Sequence, residues 1–260
     1  MIYEKLSIRG AQLVIYARDN SSEMDANRIY PTVLICPGGA YGFLSDREAE
    51  PVALALLAEG FTAAVLRYGV SGDRHPTQLH QASAAMAYLR ENAEQYHVDP
   101  QHCFVMGFSA GGHLAAMLGT LWHETPEGET ARPNGMVLSY AVLSSGEYAN
   151  NGSFSNLCGD DAALKARLSL ENRVDERTSP AFLWQTATDS SVPSMNSLLM
   201  AQSLAKQGIP YALHVFPKGV HGLSLATEIT LNPNWPACLE PSAQQWFPLA
   251  TQWMKDDTMR

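Results

Sequence analysis

A serine hydroxyl becomes a useful nucleophile only beside a base that takes its proton, and that base needs an acid to orient it. The chain carries all three residue types, each just after an apolar run. Ser109 stands between Gly107 and Gly111 in "MGFSAGGHLAAM", after "HCFVMGF" and before a small-residue helical stretch. A strand turning sharply into a helix has no room for side chains two residues either side of the turn. Glycines there let the serine project at the sheet edge. Asp189 directly follows "AFLWQTAT", and His221 follows "YALHVFP" with Gly219 and Gly222 around it. Acyl transfer also needs donors for a carbonyl oxygen that turns negative. One is expected from the amide of Ala110, next after the serine. Another is expected from the loop "ICPGGAYG" (35–42), where Gly38 and Gly39 let the backbone approach a ligand closely.

The competing residues read more plainly. Asp160 and Asp161 fall in a polar stretch, Asp175 and Glu176 in a charged patch, and Asp256 and Asp257 in the tail, all as solvated charges. His214 alternates with apolar neighbours as packing, and His97, His102 and His123 stand at element ends. His75 and His80 lack the company a metal needs, and His113, four residues after Ser109, reads as support for the helix. The four cysteines show no metal spacing, and Cys36 and Cys103 read as core thiols. No metal or cofactor is expected.

These residues must be positioned by alternating elements. Strands are predicted at 11–18, 32–37, 61–68, 102–108, 135–142, 181–188 and 211–217, with helices at 45–60, 76–96, after Ser109, at 193–208 and near 242–255. Gly60 and Gly208 mark helix ends. Near-continuous apolar strands between helices imply a mostly parallel central sheet covered on both faces, with its ligand site at the strands' carboxyl ends. The 260 residues suit a single α/β domain. Residues 144–178 are polar and too few for a core of their own, so they read as a cap-like insertion over the active face. A net charge of −9 with no basic cluster argues against nucleic acid and anionic membranes. With no apolar leader and no window near about 18 apolar residues, the expectation is a cytoplasmic protein.

On "PGGAYGFLSDREAEPVALALLAEGFTAAVLRY", "VMGFSAGGHLAAMLGTLW", "AFLWQTATDSSVP" and "FPKGVHGLSLA", the chain resembles the α/β-hydrolase superfamily. Within it, the chain is similar to bacterial carbohydrate acetylesterases related to acetyl xylan esterases, and to the acetylesterase/lipase group around them. The resemblance implies an α/β-hydrolase fold with Ser109 as nucleophile, His221 as base and Asp189 as orienting acid. It implies oxyanion donors at Gly39 and Ala40 beside Ala110. Pro37 and Ala40 depart from the His-Gly-Gly-Gly loop of such esterases, so the loop's support must differ. The implied activity is removal of short acyl groups, most often acetyl, from small-molecule esters such as acetylated xylo-oligosaccharides. A general short-chain carboxylesterase, a peptidase or arylformamidase, and a non-catalytic binder are the alternatives, and a homo-oligomer is left open. Tyr41 and Phe43, next to the oxyanion donors, are expected to wall the acyl pocket; the alternative is that both rings pack the loop onto the core.

Overall fold

The computed structural model describes residues 1–256. Along the chain run β1 (Ile2–Ile8), β2 (Ala11–Ala17), β3 (Tyr30–Cys36), α1 (Glu50–Ala58), β4 (Thr62–Arg67), α2 (Thr77–Glu91), α3 (Ala93–Tyr96), β5 (Val98–Phe108) and α4 (Ala110–Leu121). Then follow β6 (Gly135–Ser139), α5 (Asn151–Cys158), α6 (Ala162–Arg167), β7 (Ala181–Thr186), α7 (Met195–Lys206), β8 (Tyr211–Phe216) and α8 (Trp246–Lys255). The eight strands form one sheet in the order β1-β2-β4-β3-β5-β6-β7-β8. It is parallel from β4 to β8, with β1 and β2 added antiparallel at one edge. This is the α/β-hydrolase architecture, and the mostly parallel expectation holds.

Side-chain alternation splits each central strand between two cores. Leu34, Cys36, Cys103, Val105 and Leu183 face a core shared with α2, α4 and α7. Val33, Ile35, Phe104, Met106 and Trp184 face a second core, closed by α1 and α8. Both faces are therefore covered, and the strands read as unbroken apolar runs. The catalytic candidates stand at the carboxyl ends of the strands, on the loops after β5, β7 and β8.

Three expectations need correction. Strand β1 was not foreseen; it pairs with β2 through a tight turn in which Arg9 and Gly10 both have positive φ. Two-residue hairpins need that backbone, and Arg-Gly lacks the usual Asn-Gly signal. The predicted strand 135–142 ends at Ser139, because Tyr140 turns to φ 36° and its amide crosses to the Trp184 carbonyl. The predicted helix 45–60 is a 3-10 turn at Asp46–Glu48 followed by α1, which carries Pro51 in its first turn, where a missing N–H does no harm. The segment 144–178 holds α5 and α6, and its Phe154 and Leu157 are buried in the main core. No helix among the described residues is long and apolar enough to cross a membrane.

His113 on α4 is a polar group buried in the core, with no exposed surface. Its Nε2 lies 2.9 Å from the Leu168 carbonyl oxygen, which only accepts, so Nε2 carries the proton. Nδ1 must then accept from the Tyr41 hydroxyl, 2.8 Å away. Burial holds this imidazole neutral, pushing it down from 6.5 to about 4. As pH falls below 6.5, the unfolded chain takes up a proton that the folded chain refuses, so stability drops towards pH 4 and levels below it. Between pH 7 and pH 5 this one residue is expected to cost about 2 kcal/mol. Denaturant unfolding at both pH values checks it: His113→Gln should flatten the pH slope by that amount, though it lowers stability at pH 7.

Candidate active site

The turn from β5 into α4 places Ser109 at φ 52°, ψ −118°, a backbone region that side chains disfavour. Glycine neighbours make that turn possible. A Cβ on Gly107 would lie 2.1 Å from the Gly111 carbonyl oxygen, and one on Gly111 would lie 2.0 Å from the Cys36 carbonyl oxygen. The helix thus starts in contact with the ends of β3 and β5, and the Ser109 side chain is directed away from them.

Beyond β8, the His221 imidazole reaches that side chain, with Nε2 2.7 Å from Ser109 Oγ. Its Nδ1 lies 2.7 Å from Asp189 Oδ2, and the carboxylate accepts, so Nδ1 donates and Nε2 is free to accept the serine proton. Asp189 follows β7 with only 1% of its side chain exposed. Its other oxygen accepts the amides of Ser191 and Val192, each at 2.9 Å, which satisfy the carboxylate without a cation. The structure brings these three residues together, whereas Asp161, a rejected alternative, caps α6 by accepting the Leu164 amide.

The loop after β3 runs over Ser109. Gly39, Ala40 and Tyr41 all have positive φ, and among the described residues the amides of Gly39 and Ala40 donate to no protein acceptor. Ala110 opens α4 directly after Ser109, and Gly39 and Ala40 line the same pocket as Ser109 and His221, a cavity of about 450 Å³. Phe43 lines it, 63% exposed. Tyr41 does not, which corrects the expectation for that residue. Its ring is buried against Tyr68 and His113, and its hydroxyl is spent on His113, so it is a strut under the loop.

A family model matches residues 16–204, including Ser109 and Asp189. The chain belongs to the BD-FAE family. Among relatives of this BD-FAE chain, the endo-1,4-beta-xylanase B of Butyrivibrio fibrisolvens is 35% identical over 75% of the chain. The chain spans 33% and 44% of the lengths of two curated relatives that it matches. The acetyl ester-xyloside bifunctional hydrolase of Caldicellulosiruptor lactoaceticus is 37% identical, with TM-score 0.84 over 96% of this chain and 89% of that one. The carboxylesterase Cest-2923 of Lactobacillus plantarum is 31% identical, with TM-score 0.87 over 100% and 98%.

One residue that the sequence reading missed holds the BD-FAE site together. Glu48 is buried; its Oε2 accepts the Gly38 amide at 2.8 Å and its Oε1 accepts the Tyr140 hydroxyl at 2.6 Å. The Tyr140 oxygen in turn accepts the Ser224 amide at 2.9 Å, and its ring packs edge-on to His221. The carboxylate therefore ties the oxyanion loop to the histidine loop. Tyr68, donating to the Pro37 carbonyl, and Asn156, donating to that of Ala40, add to this support, which replaces the missing histidine of the related loops. "SDRE" reads as a helix-capping pattern, and nothing local shows that Glu48 turns inward. Glu48→Gln puts an amide nitrogen against either the Gly38 amide or a tyrosine hydroxyl that already has a donor. Since one lost oxyanion donor costs about 10²-fold or more, a displaced loop should lower kcat by roughly tenfold. Steady-state kinetics should show this fall with KM nearly unchanged.

Proposed function

We propose that the chain is a serine esterase that removes short acyl groups, chiefly acetyl, from acetylated carbohydrates. The observation that carries this reading is the unbroken relay from Ser109 Oγ through His221 to Asp189, two contacts of 2.7 Å, beside unpaired loop amides. Ser109 Oγ bonds to the ester carbon as its proton passes to His221 Nε2. The amides of Gly39, Ala40 and Ala110 hold the resulting oxyanion. The carbon–alkoxide bond then breaks as His221 returns the proton to the departing alcohol. Water repeats the sequence on the acyl-enzyme and releases the carboxylic acid. Asp189 keeps the imidazole in the required tautomer and stabilises its cation. The carbohydrate part of the reading is supported by the xyloside and xylan names of the relatives above.

Ser109→Ala should lower ester turnover by about 10³-fold or more, and Asp189→Asn should do nearly as much by favouring the wrong tautomer. Asp161→Asn should stay close to wild type. Activity that survives Asp189→Asn but not Asp161→Asn would mean that another acid serves His221.

A second reading, a general short-chain carboxylesterase, is favoured by the exposure of Phe43 and by the likeness to Cest-2923. Acyl length separates the two. If Phe43 closes the acyl side, acetyl esters should be preferred over hexanoyl esters by at least about tenfold, for which roughly 1.4 kcal/mol of steric cost suffices. Phe43→Ala should narrow that gap. Equal turnover of both esters by the unmodified enzyme would favour the general carboxylesterase.

A further inference from the structure

Between His221 and α8 the chain makes a long excursion, and its tip returns to the pocket at Asn232 and Trp235. Asn232 and Trp235 close a tight turn, with the Trp235 amide donating to the Asn232 carbonyl at 2.8 Å. The indole is 39% exposed, and its outer edge lies 3.7 Å from where a Cβ on Gly222 would stand. Arg47 backs it, with the guanidinium carbon 6.0 Å from the ring centroid. That guanidinium is itself fixed, donating to the carbonyls of Thr230 at 2.6 Å and Gly222 at 2.9 Å. An aromatic ring of this size left open and held from behind is a surface prepared for contact.

The reaction geometry says which half of an ester meets it. The carbonyl oxygen is drawn to the amides of Gly39 and Ala40, so the departing oxygen must come within about 3 Å of His221 Nε2 to receive its proton. The alcohol fragment therefore extends over His221 and Gly222, and Trp235 is the next surface it reaches. A pyranose ring presents a face of C–H bonds, apolar and slightly positive, which complements the negative π face of an indole. Its hydroxyls point outward in the ring plane, where the polar wall includes Asn232 and Ser191.

We propose that Trp235 is a specificity-determining residue, the platform for the sugar ring of the leaving alcohol; this rests on the esterase reading above. The test compares a methyl xyloside monoacetate with ethyl acetate, two esters with the same acyl group. In Trp235→Ala, the ratio of kcat/KM for the xyloside over that for ethyl acetate should fall at least tenfold, with the change carried by KM. Trp235→Phe should retain most of the ratio and Trp235→Leu should lose it, which separates a π face from bulk should the alanine variant fold poorly. Equal losses on both esters would overturn the proposal alone, because Trp235 would then merely brace the histidine loop. A wild-type enzyme that cleaves ethyl acetate but no sugar acetate would overturn the carbohydrate reading and this proposal with it.

Discussion

The strained turn at Ser109 is the reference point for the rest of the molecule. A non-glycine residue at φ 52°, ψ −118° costs about 1–3 kcal/mol and persists only where its surroundings leave no alternative. Here the backbone is tied on both sides. The Ser109 amide donates to the Ser139 carbonyl at the end of β6, and the Ser109 carbonyl accepts the amides of His113 and Val142. Relaxing the turn would break bonds to β6, to α4 and to the chain leaving the sheet. The two flanking glycines are the steric counterpart, since a methyl group at either would push the helix off the strands.

Around that fixed point the other groups are held by a repeated device, a buried carboxylate satisfied by neutral donors. Asp189 takes two backbone amides and the imidazole, while Glu48 takes one amide and a tyrosine hydroxyl. Burying a carboxylate is costly unless its lone pairs are filled, so each works as a clamp whose release is penalised. The loops after β3 and β8 are far apart in sequence, yet both meet Tyr140, through Glu48 on one side and Ser224 on the other. Tyr140 thereby links the loop that carries Gly39 and Ala40 to the loop that carries His221.

The sequence made some of this legible and concealed the rest, for definite reasons. Ser109, Asp189 and His221 were readable because each follows a strand whose apolar pattern is strong, and because a parallel sheet gathers strand ends in one place. Gly107 and Gly111 signalled the turn, since their lack of a side chain is itself the structural requirement. Glu48 and Tyr140 gave no such sign. A glutamate beside Asp46 and Arg47 resembles any solvated helix start, and only the fold brings it to the Gly38 amide 10 residues back and the Tyr140 hydroxyl 92 residues on. Tyr41 misled for a related reason. Its neighbours suggest the pocket, but its hydroxyl has a partner on α4 that no local pattern reveals. The hairpin at Arg9 and Gly10 was missed because tertiary pairing overrode weak turn chemistry.

The two sides of the pocket also differ in how firmly they are tied to the chemistry. The side formed by the loop after β3 is embedded, with Gly38, Gly39 and Ala40 each pinned by their own backbone or by Glu48 and Asn156. The opposite side hangs on Arg47, whose bonds to Gly222 and Thr230 bracket the stretch leaving His221. Trp246 adds a bond from its indole nitrogen to the Ser224 carbonyl inside the same bracket. Residues 231–239 lie beyond it. They are nevertheless held to the same guanidinium, since Trp235 packs on Arg47, and Cys238 is buried. Arg47 therefore anchors both the stretch that carries His221 and the turn that brings Trp235 to the pocket.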